Sequence, residues 1–286
     1  MITDATRMGA VGEVGSGRTV SLAAPIEVTS GADNPDPADH QMTGLSPQNG
    51  SGLHFATDRV CMNVHGNAHT HLDALCHVMF DGVLYNGVPA SSVTSDGALE
   101  LTVGIVSDGI VGRGVLLDIP RTRGVAWLEP GDHVTPEDIT AAERLQEVVV
   151  GPGDLMFVRV GHRRRRAELG AWDAAESRAG LHSEVVPLLA ERQVAVLGSD
   201  GNNDTAPSCV AGVDFPVHVL AINALGMHLP RLSAAGGHRR AVRGRGPMEL
   251  SLCDRAVAPP GRDRFARQPD RHALRRRRQI TSSWER

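Results

Sequence analysis

Between His65 and His77 the chain sets five proton- or metal-binding groups, His65, His69, His71, Asp73 and His77, into thirteen positions. A buried imidazole or carboxylate needs a partner. A fold that takes in this stretch therefore has to aim several of these side chains at one another or at a common ion. Side chains alternate along an extended chain. With an extended backbone, His65, Asn67, His69, His71 and Asp73 share one face and Ala68, Thr70 and Leu72 the other, which makes the stretch a strand lining a polar cavity. The bland alternative, a surface strand with unrelated histidines, fits poorly with the apolar β-type residues around it.

A divalent ion asks for two or three neutral imidazoles and a carboxylate, with one position left to water or substrate. Such an ion lowers the pKa of its bound water from 15.7 to about 7, and a histidine outside the coordination shell then moves the proton. We expect His69, His71 and Asp73 to be the metal ligands and His77, four residues past Asp73, to be the acid–base. His182 and His218 are weak signals taken singly, because a lone histidine is more often a cap or a satisfied core residue. Cys76 reads as a buried inert thiol.

Strand and helix patterns alternate along the chain, so the class is α/β. Strands are expected at Gly17–Ala23, Asp58–Val64, Thr102–Val106, Gly114–Asp118, Leu155–Val160 and Val194–Leu197, the last placing Asp200 at a strand end where ligands commonly bind. Thr135-Pro-Glu-Asp138 is a helix start, with Thr as N-cap and Pro in the first turn, and the helix should reach about Glu147. Further helices are expected from Ser183 to Glu191 and from Val217 to His228. Thr29–Gly52 reads as a long rim loop, and Arg163–Arg166 as a solvated charge run.

At 286 residues and 41% hydrophobic the chain can bury a substantial core. No apolar run has the length of a membrane span and Met1–Ala10 lacks a signal-like pattern, so a cytoplasmic protein without membrane contact is expected. Four scattered cysteines suggest neither disulfides nor a zinc ribbon. The net charge of -4 conceals a split: residues 1–230 carry 14 Arg against 28 acids, residues 231–286 carry 15 Arg against 5, and lysine is absent. An arginine-rich tail behind an acidic body suggests a polyanion-binding arm. Basic arms usually mix Lys with Arg at low complexity, and we expect no nucleic-acid partner.

At His71-x-Asp73 and His77 the chain resembles the cyclase or metal-dependent hydrolase family that includes kynurenine formamidase (arylformamidase) and isatin hydrolase, whose core is His-x-Gly-Thr-His-x-Asp-x-Pro-x-His. Arg113–Asp118, Gly151-Pro-Gly-Asp-Leu, Gly180-Leu-His and Phe215-Pro-Val-His218 are similar to its later landmarks. The resemblance implies a swivelling β/β/α domain with a mixed sheet, zinc or manganese, a homodimer, and a role for His218 at the metal or at a second site. Asn67 stands where the pattern has its first histidine, and His69, on the same strand face, would supply the missing nitrogen. The pattern's Gly and Pro are His69 and Leu75 here.

The pattern also has an acidic ligand about a dozen residues after its late histidine, whereas this chain has Pro230-Arg231. Back-translated and read one base later, Pro230-Arg231 allows Leu-Asp, and Phe265–Arg271 allows Ser-Pro-Val-Asn-Pro-Ile, similar to the family's C-terminal end. The expected organisation is a cyclase-like domain over residues 1–229 and a disordered or out-of-frame tail over 230–286. The expected function is metal-dependent hydrolysis of a small amide, N-formyl or cyclic amide (arylformamidase-like, acting on C–N bonds other than peptide bonds). The alternative is a catalytically impaired or non-catalytic metal-binding relative.

Overall fold

The computed structural model describes residues 2–44 and 54–232 and the backbone of 246–250. Helix α1 (Asp4–Gly12) opens the chain under a Thr3 capping box. Strands β1 (Asp39–Gly44) and β2 (Thr57–Cys61) form an antiparallel hairpin that is exposed along most of its length. The long rim expected from Thr29 thus contains a strand, and its part from 45 on lies outside the described residues.

A six-stranded mixed sheet positions the site. Its strands are β3 (His71–Leu72), β4 (Ile110–Asp118), β5 (Leu155–Arg159), β6 (Val196–Ser199), β7 (Pro230–Arg231) and β8 (Gly246–Leu250), in the order β8-β4-β5-β6-β7-β3. Strands β4 to β7 run parallel, and β8 and β3 close the two edges antiparallel. Central β5 is buried at all five positions, as expected of a parallel strand covered on both faces. Pro230-Arg231, placed in the tail by the sequence reading, is an inner strand of this sheet, and Leu232 packs in the apolar cluster around Phe157.

Helix α2 (Ile119–Arg123) follows β4 directly, with Asp118 capping it and Pro120 in its first turn. Helices α3 (Pro136–Gln146) and α5 (Val185–Glu191) lay Ile139, Ala142, Val185, Val186 and Leu189 on the sheet against Leu117, Met156, Val158 and Leu197. The Thr135 capping box and the left-handed Glu147 cap bound α3 where the sequence places them. A last helical segment, Pro216–His218 continued by a π-type turn over Val219–Ala224, buries Val217, Ala221 and Ile222 in the same core.

Three local expectations fail. Gly17–Ala23 forms no strand, and Val103–Val106 is a 3-10 turn capped by Thr102. The Arg163–Arg166 run, expected to be solvated at a loop or helix edge, lies half-buried in helix α4 (His162–Leu169). There Arg164 pairs with Glu168 at 2.7 Å, Arg165 pairs with Glu129 at 2.9 Å and lies over the Trp172 ring, and Arg166 pairs with Asp33.

Candidate metal centre

Asp73 follows β3, its N–H donating to the Leu229 carbonyl and its own carbonyl accepting from His228 Nδ1 at 2.9 Å. The side chain is therefore held on a rigid sheet edge. Its Oδ1 is buried and lacks a hydrogen bond of good geometry. Around it stand His65 Nδ1 at 3.1 Å, His71 Nε2 at 3.6 Å and His77 Nε2 at 3.9 Å, and His218 Nε2 lies 3.6 Å from Oδ2.

Among the described residues His65, His71 and Asp73 bring one donor atom each to within 4.8 Å of one another, a grouping that could hold a metal ion. An orphaned buried carboxylate oxygen facing imidazole nitrogens fits a divalent cation. His71 is set for this by donating Nδ1–H to the His69 carbonyl at 3.0 Å, which leaves its Nε2 lone pair facing Asp73. Burial lowers the His71 pKa against the pull of Asp73 and so favours the neutral, ligating form. The Asp73 carboxyl titrates well below the usual carboxylate range: burial pushes it up, but His218 and His65 outweigh that.

His69 does not join this grouping. The backbone bends through residues 64–69 and is extended only at His71-Leu72, so alternation does not carry across the stretch. His69 is buried with both ring nitrogens unpartnered, and its charged neighbours are Glu27 and Arg231. Its contribution to the cluster is its carbonyl. The same bend brings in His65 and stacks its ring on His77 at 3.9 Å. Asn67 accepts from the Arg231 guanidinium through Oδ1 and the main-chain oxygen.

His218 joins the cluster from the far end of the chain. Asp204 accepts hydrogen bonds from the Val217 and His218 amides at 2.6 and 3.1 Å and from His218 Nδ1. Asp204 is in turn tied down by Arg178, whose Nε donates to its carbonyl at 3.0 Å, and by a parallel bridge to Leu181. Close approach there requires Gly180, because a Cβ at that position would overlap the Asp204 backbone. Burial would depress the His218 pKa, but Asp204 and Asp73 raise it to about 9. No sequence signal singles out Asp204 beyond the Gly180-Leu-His landmark it packs against. Asp200, foreseen at a ligand-binding strand end, instead clasps the chain: it accepts from the Val160 and Gly161 amides and lies outside the cluster.

The family model described as "Putative cyclase" matches residues 20–203. The chain belongs to this cyclase family. A solved structure of a novel cyclase shares 29% identity, with 81% of this chain and 80% of that one covered and a TM-score of 0.69. The mixed α/β sheet is therefore the cyclase fold. Isatin hydrolase A from Labrenzia aggregata, bound to benzyl benzoate, is similar at 18% identity over 74% of this chain and 80% of its own, with a TM-score of 0.48. A potential metal-dependent hydrolase with cyclase activity is similar at 17% over 80% and 86%, with a TM-score of 0.45. Comparison with curated proteins gives no match. No helix among the described residues of the chain is long and apolar enough to cross a membrane.

Proposed function

We propose that this member of the cyclase family is a metal-dependent hydrolase of a small amide, N-formyl or cyclic amide substrate. The observation that carries the reading is the convergence of His65, His71 and the otherwise unpartnered Asp73 oxygen, with His218 turned toward the same carboxylate. When bound, zinc or manganese supplies Lewis-acid polarisation of a carbonyl and an acidified water.

The chain's own residues supply the rest. His77 sits at the edge of the cluster with its side chain about a third exposed, and burial keeps its imidazole neutral near pH 7 against the pull of Asp73. It is placed to take a proton and pass it to a leaving nitrogen or to solvent. Asp204 holds the His218 ring in one orientation, so Nε2 faces the reacting side without reorganisation. Met79, Phe80 and Phe215, neighbours in sequence of His77 and His218, expose large apolar side chains and suit the aromatic or alkyl body of a substrate.

A second reading, a metal-binding relative without turnover, draws on Arg231. It stands where the resemblance expects an acid, and its side chain goes to Asn67 instead of the cluster. Metal analysis of the purified chain followed by assay on N-formylkynurenine and cyclic amides separates the two. Hydrolysis that chelator abolishes and metal restores supports the hydrolase. Bound metal with no turnover on any of these substrates supports the second reading. We also propose a homodimer, supported by the resemblance and by the exposure of the β1–β2 hairpin, which is marginal when uncovered. Light scattering reads it directly.

A further inference from the structure

Three of the four arginines in α4 are engaged by carboxylates. Arg163 is not: it is half-buried and makes no hydrogen bond or ion pair among the described residues. It lines a pocket with His162, Arg166, Arg231, Asp33, Glu27 and Asp200. The three carboxylates there are already committed. Asp33 pairs with Arg166, Glu27 lies 3.6 Å from the same guanidinium, and Asp200 takes the Val160 and Gly161 amides.

What remains in the pocket is a set of donors without acceptors. His162 Nε2 and Arg231 Nε are buried without a partner, in side chains that are only 6% and 4% exposed as residues. The other Arg231 nitrogens donate to Asn67 amide oxygens, which carry no charge to match. A buried cation left in this state is unfavourable until an anion or a carboxylate reaches it. Titration agrees: burial, then Arg231, Arg166 and Arg163, push His162 well below its ordinary value. Burial takes Arg231 down to about 10, against the pull of Asp200 and Asp33.

We propose that this pocket binds a single carboxylate group through Arg163, His162 Nε2 and Arg231 Nε. The enclosed space is on the order of one water, room for one carboxylate oxygen with the rest of the group in the open mouth of the pocket. The pocket neighbours the metal centre, because Arg231 opposes His71 in the β7–β3 register and opposed residues of an antiparallel pair project to one face. Arg163 and His162 precede residue 230 but Arg231 does not, so the site described is that of the chain carrying arginine at 231.

The test uses the full chain at constant ionic strength, with formate and benzoate titrated against chloride by calorimetry and thermal melting. Formate should bind and raise the melting temperature where chloride does not. Benzoate binding as well identifies the head of a larger acid, and formate binding alone identifies a free small acid; either result supports the site. Arg163→Gln should weaken formate binding about tenfold or more, and Arg163→Lys, which keeps the charge, should retain part of it. Formate indistinguishable from chloride, or bound as tightly by a folded Arg163→Gln chain as by the parent, overturns the proposal.

Discussion

The Nδ1–H of His218 donates to the Asp204 carboxylate, and this bond turns the opposite ring nitrogen toward Asp73. Carboxylates in this position raise the basicity of a ligating imidazole and lock its tautomer. Asp204→Asn keeps the shape and removes the charge. Metal affinity should fall about 10- to 100-fold, read by competition with a chromogenic chelator.

Metal-free protein should lose stability as pH rises through the His218 titration. Its folded pKa, about 9 because Asp204 and Asp73 overcome burial, lies above the unfolded value near 6.5. The charged ring therefore stabilises fully below about pH 6.5. That contribution disappears as pH climbs through the folded value. Thermal melts of chelator-treated protein from pH 6 to 10 should show this decline, and His218→Gln should flatten it.

His65 and His69 make a discriminating pair. His65→Ala removes one of the three clustered donors and should weaken metal binding by at least about tenfold. His69→Ala leaves the carbonyl that orients His71 and should leave metal affinity within about threefold of the parent. Isothermal titration of both variants with zinc decides between bend and strand parity.

Gly180→Ala tests whether the site depends on backbone contact at a distance from the ligands. The added methyl meets the Asp204 backbone, so the loop holding Asp204 has to shift. A loss of about 1–3 kcal/mol is expected from urea denaturation, with reduced metal affinity because His218 loses its fixed orientation.

The tail carries its own prediction. We propose that translation from about Pro230 onward follows a shifted frame, supported by the charge split and by the buried, partly unsatisfied Arg231. Sequencing the gene across the codons for Met227 to Ser233 should find a missing or extra base relative to a frame reading Leu-Asp at 230–231. An undisturbed frame there sinks the idea.

Much of the frame was legible locally. Continuous apolar runs announced β5 and β6, and Thr135-Pro-Glu-Asp138 announced α3 to within a residue at each end. Such signals are short-range, since a cap or a buried strand is decided by a few neighbours. The density of His and Asp from His65 to His77 likewise marked the stretch in which His65, His71, Asp73 and His77 cluster.

Which donors converge was a different matter, decided by the tertiary fold. Parity chose His69 because it assumes an extended backbone, and the bend through 64–69 instead sets His65 beside His71 and Asp73. Asp204 was unreadable because its role exists only once Arg178, Gly180 and Leu181 hold its loop beside His218. The arginines of α4 read as solvated because their partners Asp33 and Glu129 are distant in sequence. Residue types and spacing determined that a metal could bind near residue 70. Only the packed sheet, by fixing direction and burial, determined which atoms face it.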